Sequence, residues 1–256
     1  MADENDRGSG LRTIALLKQI AESGNTFTIA QLSGKASLPP SSVHRLLQPL
    51  IKEGFVERGP SQSYRIGSEL LRIASLVLRQ VDAAVLARPI LRRLWTEWEE
   101  TSSLAVYKPT SRNAVVVEII QTPHPLRFVI EPFTELSLTW GSLGRAILAS
   151  LPPAEAEDAM RSPAAGPLSG QPPLTRAAMG EIIAEIQAQG FAQYRNEQVD
   201  AAGVAAPVFR ADGSVLGSIG ITAPAQRLRK ELVPAMAKAV QAAAAELSAT
   251  LGYGPP

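Results

Sequence analysis

T-F-T-I-A-Q-L-S-G-K-A-S-L-P-P-S-S-V-H-R-L-L-Q-P-L-I-K-E-G-F-V-E-R-G-P-S-Q-S-Y-R-I, residues Thr26 to Ile66, reads as a short helix, a turn, a second helix opened by Pro39-Pro40, and a small hairpin. That order is a winged helix-turn-helix, and it points to double-stranded DNA. In the second helix Val43, Leu46, Leu47, Leu50 and Ile51 recur at helical spacing and are expected to face a core. The opposite face carries Ser41, Ser42, His44, Arg45 and Gln48, side chains that hydrogen-bond to base edges in a major groove. Two prolines suit the first turn, where backbone N–H groups have no helical partner. Pro49 removes a hydrogen bond inside the helix, so the straight part is expected to end near Gln48 or to bend there. Gly54 is a C-terminal stop. Phe55-Val56-Glu57 and Tyr64-Arg65-Ile66 form two strands around the Gly-, Pro- and Ser-containing turn 58–63. This hairpin is the wing, and Arg58 and Arg65 are candidates for phosphate or minor-groove contacts.

Working outward, Leu11, Ile14, Leu17 and Ile20 recur at helical spacing and predict a first helix over Leu11 to Ser23, closed at Gly24-Asn25. Cations outnumber anions modestly between Ser9 and Leu70, with Arg12, Lys18, Lys35, Arg45, Lys52, Arg58 and Arg65 against Glu22, Glu53, Glu57 and Glu69. After the wing, Leu70 to Val81 is apolar nearly all round, and such a helix needs partners on more than one side. It is expected to link two domains and to pack partly on another subunit. The domain plan is then a disordered tail over 1–8, a DNA-binding domain over 9–67, a linker helix over 68–82 and a second domain over 83–253.

The second domain opens with an amphipathic helix over Val85 to Glu100, with Leu86, Ile90, Leu94 and Trp98 on one stripe. Trp98 reads as core and Trp95 as interface. Strand-like runs follow at Ser103 to Tyr107, Ala114 to Ile120 and Leu126 to Ile130. A helix begins in G-S-L-G-R-A-I-L-A-S, residues 141–150. The stretch Leu151 to Pro173 carries Pro152, Pro153, Pro163, Pro167, Pro172 and Pro173, and has room only for a short helix over Ala154 to Met160. Thr175 to Gln189 is a helix closed by Gly190, and Phe191 to Tyr194 a brief strand. Val204 to Phe209 and Ser214 to Thr222 form a hairpin around Asp212-Gly213. An alanine-rich helix over Leu228 to Leu251 closes the chain. Helices around a mostly antiparallel sheet give an α+β, sensor-like fold.

Composition agrees with a cytoplasmic regulator. With 256 residues and a formal net charge of +1, the chain holds two domains and is no nonspecific polycation. Without cysteine there is no disulfide, thiolate metal site or cysteine nucleophile. No apolar run is long enough to span a bilayer, and the first ten residues show no signal core. His44 and His124 are the only histidines, too few for a histidine metal cluster, and His124 between two prolines belongs in an exposed turn. No cofactor is expected. There is no G-x-S-x-G elbow, no phosphate-binding G-x-x-x-x-G-K and no Ser, His and Asp in a catalytic order, so no catalytic residue is assigned and the chain is not expected to be an enzyme.

Four segments in this order and separation carry a family resemblance over nearly the whole chain: L-P-P-S-S-V-H-R-L-L, Y-R-I-G, G-S-L-G-R-A-I-L-A, and G-F-A-Q-Y-R-N-E-Q followed by G-V-A-A-P-V-F. The sequence resembles the IclR family of transcriptional regulators. The resemblance implies a homodimer or homotetramer that binds palindromic operator DNA as a repressor-type regulator. It also implies a C-terminal domain similar to the GAF/PAS sensor group that holds a small effector. Arg145 stands where that family usually has lysine. Asn196-Glu197-Gln198 lacks the usual acidic pair, and Asp200-Ala201-Ala202-Gly203 replaces a glycine-led segment.

A physical case for the effector site starts at Gly141, Ser142, Gly144 and Arg145, a loop entering a helix whose free N–H groups and dipole suit a carboxylate. Small residues Gly203, Ala205, Ser218 and Gly220 leave room, and Leu104, Val106, Leu138 and Trp140 supply apolar walls. The expected effector is an aromatic or small organic acid. The same small residues would equally let a helix pack closely on a sheet. Glu197 either accepts a ligand hydroxyl or pairs with an arginine. Two competing readings are a second domain that only oligomerises and one that turns its ligand over.

Overall fold

Local signals set each element of the N-terminal unit in the computed structural model, which describes residues 3–24, 26–80, 82–127, 129–161, 165–167 and 169–254. Helix α1 (Asp3–Ala21) buries Leu16 and Ile20 completely. Leu17 is half-buried, whereas Leu11 is 71% exposed and Ile14 is also exposed. The short helices that α1 packs on, α2 (Ile29–Ala36) and α3 (Pro40–Lys52), cover only its C-terminal half. The backbone is helical from Asp3. Once a turn is fixed by packing, each further residue adds a hydrogen bond without a new nucleation cost. Met1, Ala2 and the Asn25 of the expected break lie outside the described residues.

Thr28 caps α2 by accepting from the Gln31 N–H at 3.3 Å, and the Gln31 side chain accepts from the Thr28 N–H at 2.8 Å, a reciprocal capping box. In α3, Val43, Leu46, Leu47 and Leu50 are buried, and Pro40 occupies the first turn. Pro49 does not end the helix, which continues to Lys52. Pro49 is exposed, so the carbonyl that loses its donor can turn to water. Gly54 then adopts φ 73° and the chain enters β1 (Val56–Arg58) and β2 (Tyr64–Ile66), paired antiparallel with Val56 opposite Ile66. Phe27 pairs with Tyr64 by backbone bridge and ring stacking at 6.2 Å, which ties the wing to the start of α2. Gly67 closes the hairpin against Gly54, where an added Cβ would lie 2.1 Å from the Gly54 carbonyl oxygen. Helix α4 (Ser68–Gln80) follows, with Leu71 58% exposed and Leu76 also exposed. Val81, the expected end of the linker helix, lies outside the described residues.

Chain contacts divide into two units, Met1–Val81 and Asp82–Pro256. The second opens with α5 (Ala83–Trp98), capped by Asp82 accepting from the Ala84 N–H at 2.9 Å and closed by Glu99 in the left-handed region. In chain order there follow β3 (Thr101–Lys108), β4 (Asn113–Ile120), β5 (Glu135–Ser137), α6 (Gly141–Leu148), α7 (Pro153–Ala159), α8 (Arg176–Gln189), β6 (Ala192–Asn196), β7 (Ala201–Phe209), β8 (Val215–Ala223) and α9 (Val233–Thr250). The strands make one antiparallel six-stranded sheet in the order β5-β4-β3-β8-β7-β6.

Helices cover both faces. Ile90, Leu91 and Leu94 of α5 and Val240 and Leu247 of α9 pack on Leu104, Val204, Ile219 and Ile221. Leu143, Ile147 and Leu148 of α6 and Ile186 of α8 pack on Ala105, Val116 and Ala205. The expected strand over Leu126 to Ile130 does not form among the described residues, and Phe128 lies outside them, as does Pro163 in the proline-rich stretch. Pro123, Pro125 and Pro132 around that run cannot donate to a ladder. The edge strand forms later instead: Val116 exchanges backbone bonds with Phe133 and Thr134, and β5 pairs with Asn113 to Val115.

Gly67→Ala is expected to destabilise the DNA-binding unit by about 1–3 kcal/mol or more, because backbone must move to admit the methyl group. Gly34→Ala, a helix position with nothing within 4 Å of the added atom, should instead be neutral or stabilising by about 0.5–1 kcal/mol. Denaturant unfolding of the two variants checks both signs.

Candidate functional site

The buried row of α3 forces its other side outward. Ser41, His44, Arg45 and Gln48 are exposed and Ser42 is half-buried. Gln48 Nε2 lies 3.2 Å from His44 Nε2, and Arg45 makes no ion pair among the described residues. The wing presents Arg58, exposed on β1. Arg65 on β2 is also exposed but is engaged, its guanidinium donating to Glu57 at 3.0 and 2.8 Å and holding that carboxyl below its usual pKa. All seven residues expected at DNA therefore lie on the surface of one unit, with Arg65 already paired.

For the second site, alternation along each strand decides which residues can meet. Leu104 and Val106 belong to the core under α5 and α9. Gly203, Ala205, Ser218 and Gly220 face α6, as does Leu138. Leu104 and Val106 therefore cannot wall the same pocket, which corrects that expectation. Glu197 is 69% exposed and accepts from Arg195 Nε at 2.6 Å, so the arginine pairing is the one formed.

Several small residues have packing work to do. A Cβ on Gly144 would sit 2.1 Å from the Ser137 carbonyl oxygen, and one on Gly203 would meet Ser142 Oγ at 2.6 Å. Ser218 Oγ donates to the Leu143 carbonyl at 2.9 Å. These contacts seat α6 on the sheet. Gly141 begins the helix at φ 73°, and Trp140 precedes it as the N-cap residue.

Arg145 is different. Its side chain points back along α6, as helical side chains do, and is only 9% exposed. Nε donates to the Thr139 carbonyl at 3.0 Å, and the guanidinium lies 5.1 Å above the Tyr194 ring. No carboxylate among the described residues pairs with it, and burial lowers its pKa from the usual value. Arginine stays charged in proteins, so burial costs stability rather than charge. Elsewhere in the unit buried charge is paired: Glu100 accepts from Arg227 at 2.5 and 2.7 Å, and Glu118 from Arg88 at 2.9 Å. Around Arg145 stand neutral groups instead. Asn196 donates to Gln171 Oε1 at 3.0 Å and to the Tyr194 hydroxyl at 3.3 Å.

Sequence reasoning missed Ser103 and Gln121. Ser103 Oγ and Gln121 Oε1 are buried with no hydrogen-bond partner among the described residues. Ser103 pairs across the sheet with Gly220 on one side and Ile119 on the other, on the face under α6. The signal available was hydroxyl-bearing Ser102-Ser103 in an apolar strand. Only the register separates the two, since Ser102 Oγ donates to the Leu91 carbonyl on the opposite face. Trp95, expected at an interface, is half-buried and donates to the Gln121 carbonyl at 2.8 Å.

Two cavities lie apart from this row. One of about 760 Å³ lies between α9, the end of α8 and β7, lined by Ile186, Pro207, Phe209, Gln241, Ala245 and Tyr253 among others. The other, about 370 Å³, is lined by Thr139, Trp140, Met160, Arg161, Pro173, Leu174, Arg176 and Met179. Trp140 is the one expected effector residue that lines either. Among the described residues no group of His, Asp or Glu is placed to hold a metal ion, and no helix is long and apolar enough to cross a membrane.

Sequence comparison matches residues 11–60 to the IclR helix-turn-helix domain and residues 75–249 to the bacterial transcriptional regulator IclR C-terminal domain. The HTH-type transcriptional regulator BhcR of Paracoccus denitrificans is 28% identical over 93% of this chain and 85% of its own. The structure of Pseudomonas aeruginosa HmgR superposes with a TM-score of 0.81 at 27% identity, covering 97% of this chain and 99% of that one. An IclR homolog of Microbacterium hydrocarbonoxydans, solved in complex with 4-hydroxybenzoate, gives a TM-score of 0.55 at 22% identity, covering 95% and 98%.

Because the Arg145 charge is buried without an acid, Arg145→Met is expected to leave the ligand-free protein as stable as the parent or more so. A thermal melt checks this, and a drop in Tm of more than a few degrees would instead assign Arg145 a structural role.

Proposed function

The chain belongs to the IclR family of DNA-binding transcriptional regulators, and we propose that it reads a palindromic operator with α3 and the wing under control of a small organic acid held beneath α6. The observation that carries the DNA reading is the division of α3 into a fully apolar buried row and an outward row of Ser41, His44, Arg45 and Gln48, in which His44 and Gln48 bond to each other. Donors of these types discriminate base edges, while Arg58 and, on release from Glu57, Arg65 suit phosphates or a minor groove. A dimer would set two such helices about one turn of DNA apart, or a multiple of it. The exposed apolar residues Leu11 and Ile14 of α1 and Leu71 and Leu76 of α4 support a second copy packing on this unit.

The effector reading rests on Arg145. An unpaired buried guanidinium beside the free N–H groups that open α6 at Gly141 and Ser142 suits a carboxylate, and the 4-hydroxybenzoate complex of one structural neighbour accords with an aromatic acid. Trp140 and Leu138 supply apolar surface beside it.

Arg45→Ala is expected to weaken specific operator binding by about 1–3 kcal/mol, roughly five- to 150-fold in affinity, and to relax discrimination against scrambled DNA. Mobility-shift titrations on the intergenic DNA upstream of the gene check this. An unchanged ratio of operator to scrambled affinity in the variant counts against α3 as the reading helix.

A further inference from the structure

Granted the ligand site beneath α6, on which the assignment rests, we propose that Ser103 and Gln121 recognise a hydroxyl group of the ligand and so select hydroxylated acids over their unhydroxylated parents. Ser103 is 0% exposed and its hydroxyl has no partner among the described residues, although Thr101 and Ser102 before it are both bonded. Thr101 Oγ1 accepts from the Thr122 N–H at 3.2 Å, and Ser102 Oγ donates to Leu91. Gln121 is held in place by its own amide, which donates from Nε2 to the Ile130 carbonyl at 3.1 Å, and this fixes Oε1 as the end left over. A buried acceptor and a buried hydroxyl without partners are each left without the hydrogen bonds that water would supply.

Both groups face α6. Ser103 shares its row with Ile119 and Gly220, and Gly220 with Ala205, residues of the α6-side core or in contact with it. Gln121 continues β4 two residues beyond Ile119, and its partner Ile130 belongs to the same core. Extending the β3–β4 register one residue past Ile120 makes Ser103 and Gln121 diagonal neighbours, a relation that sets Cα atoms about 7–8 Å apart. One hydroxyl between them is complementary to both. It would donate its proton to Gln121 Oε1, which can only accept, and accept the proton of Ser103 Oγ.

The opposite pole of the site is Arg145 over Tyr194. Tyr194 sits on β6, three strands from β3 in the sheet order, about 14 Å across the sheet. The polar side chain unmatched in the fold is then matched by the ligand, and an analogue lacking the hydroxyl would bury the same two groups unpaired.

The test is calorimetry on the full chain with benzoate and its 2-, 3- and 4-hydroxy forms, and with propanoate and its 2- and 3-hydroxy forms. The expected result is one hydroxy acid that binds at least about tenfold tighter than its parent, with Ser103→Ala and Gln121→Met each bringing that ratio down to within about threefold of unity. Circular dichroism verifies that both variants are folded. Equal affinity of hydroxy and parent acids in the unmodified protein overturns the proposal, as does a ratio that survives both substitutions, the outcome expected if a buried water alone satisfies the pair. Flat titrations with every acid overturn the effector reading itself, and are recognised because the unmodified protein then binds no parent acid either.

Discussion

A sheet with helices on both faces has no solvent side on which to leave a polar group. Along each central strand of the C-terminal unit, odd and even residues alike enter a core, one under α5 and α9 and the other under α6 and α8. Every buried donor or acceptor must then find a partner within the fold or be left at a cost. The fold meets this demand nearly everywhere: Ser102, Ser218, Thr122 and Ser248 all donate to backbone carbonyls, and Glu100 and Glu118 are paired with arginines. The exceptions on the α6 face are therefore informative. Among the described residues, Arg145 holds a charge without an acid, and Ser103 Oγ and Gln121 Oε1 hold polarity without a partner.

The N-terminal unit obeys the opposite logic. Its core is small, built from Leu16, Ile20, Phe27, Leu32, Val43, Leu47 and Val56 with a few neighbours, and only one stripe of each helix is buried. The remaining surface is free to carry chemistry. Seating α3 by its apolar row fixes which polar residues turn outward, and the Phe27–Tyr64 contact with the tight Gly54–Gly67 approach fixes where the wing begins.

The helix-turn-helix was legible because its signals are local. The apolar spacing of α3, the Gly54 stop and the Tyr64-Arg65-Ile66 strand can each be read within a few residues. The α1 periodicity marked a helix but not its cover, since Leu11 and Ile14 reach past the helices that could bury them, and the helix of Pro49 runs on to Lys52. In the second unit the helices α5, α6 and α8 and the β7–β8 hairpin followed from spacing and caps. The faces did not, because strands that are apolar on both sides give no contrast to read. Leu104 and Val106 were assigned to the site for their apolarity, and only the alternation along β3 puts them on the far side, opposite a β4 that bulges at Val117. The same register brings Ser103 beneath α6. Arg145 was legible as a residue but not as an unpaired charge, since that depends on what Tyr194 and Asn196 are and where β6 lies.

If a ligand beneath α6 governs the DNA surface, the two binding events must share a coupling free energy and each must alter the other by the same factor. The most direct measurement is fluorescence-anisotropy titration of the full chain onto its upstream DNA without acid and with a saturating acid identified by calorimetry, paired with the acid's own affinity measured without and with that DNA. The account predicts reciprocal changes, equal in size and of about fivefold or more. Operator affinity that stays the same when the acid site is full would contradict it.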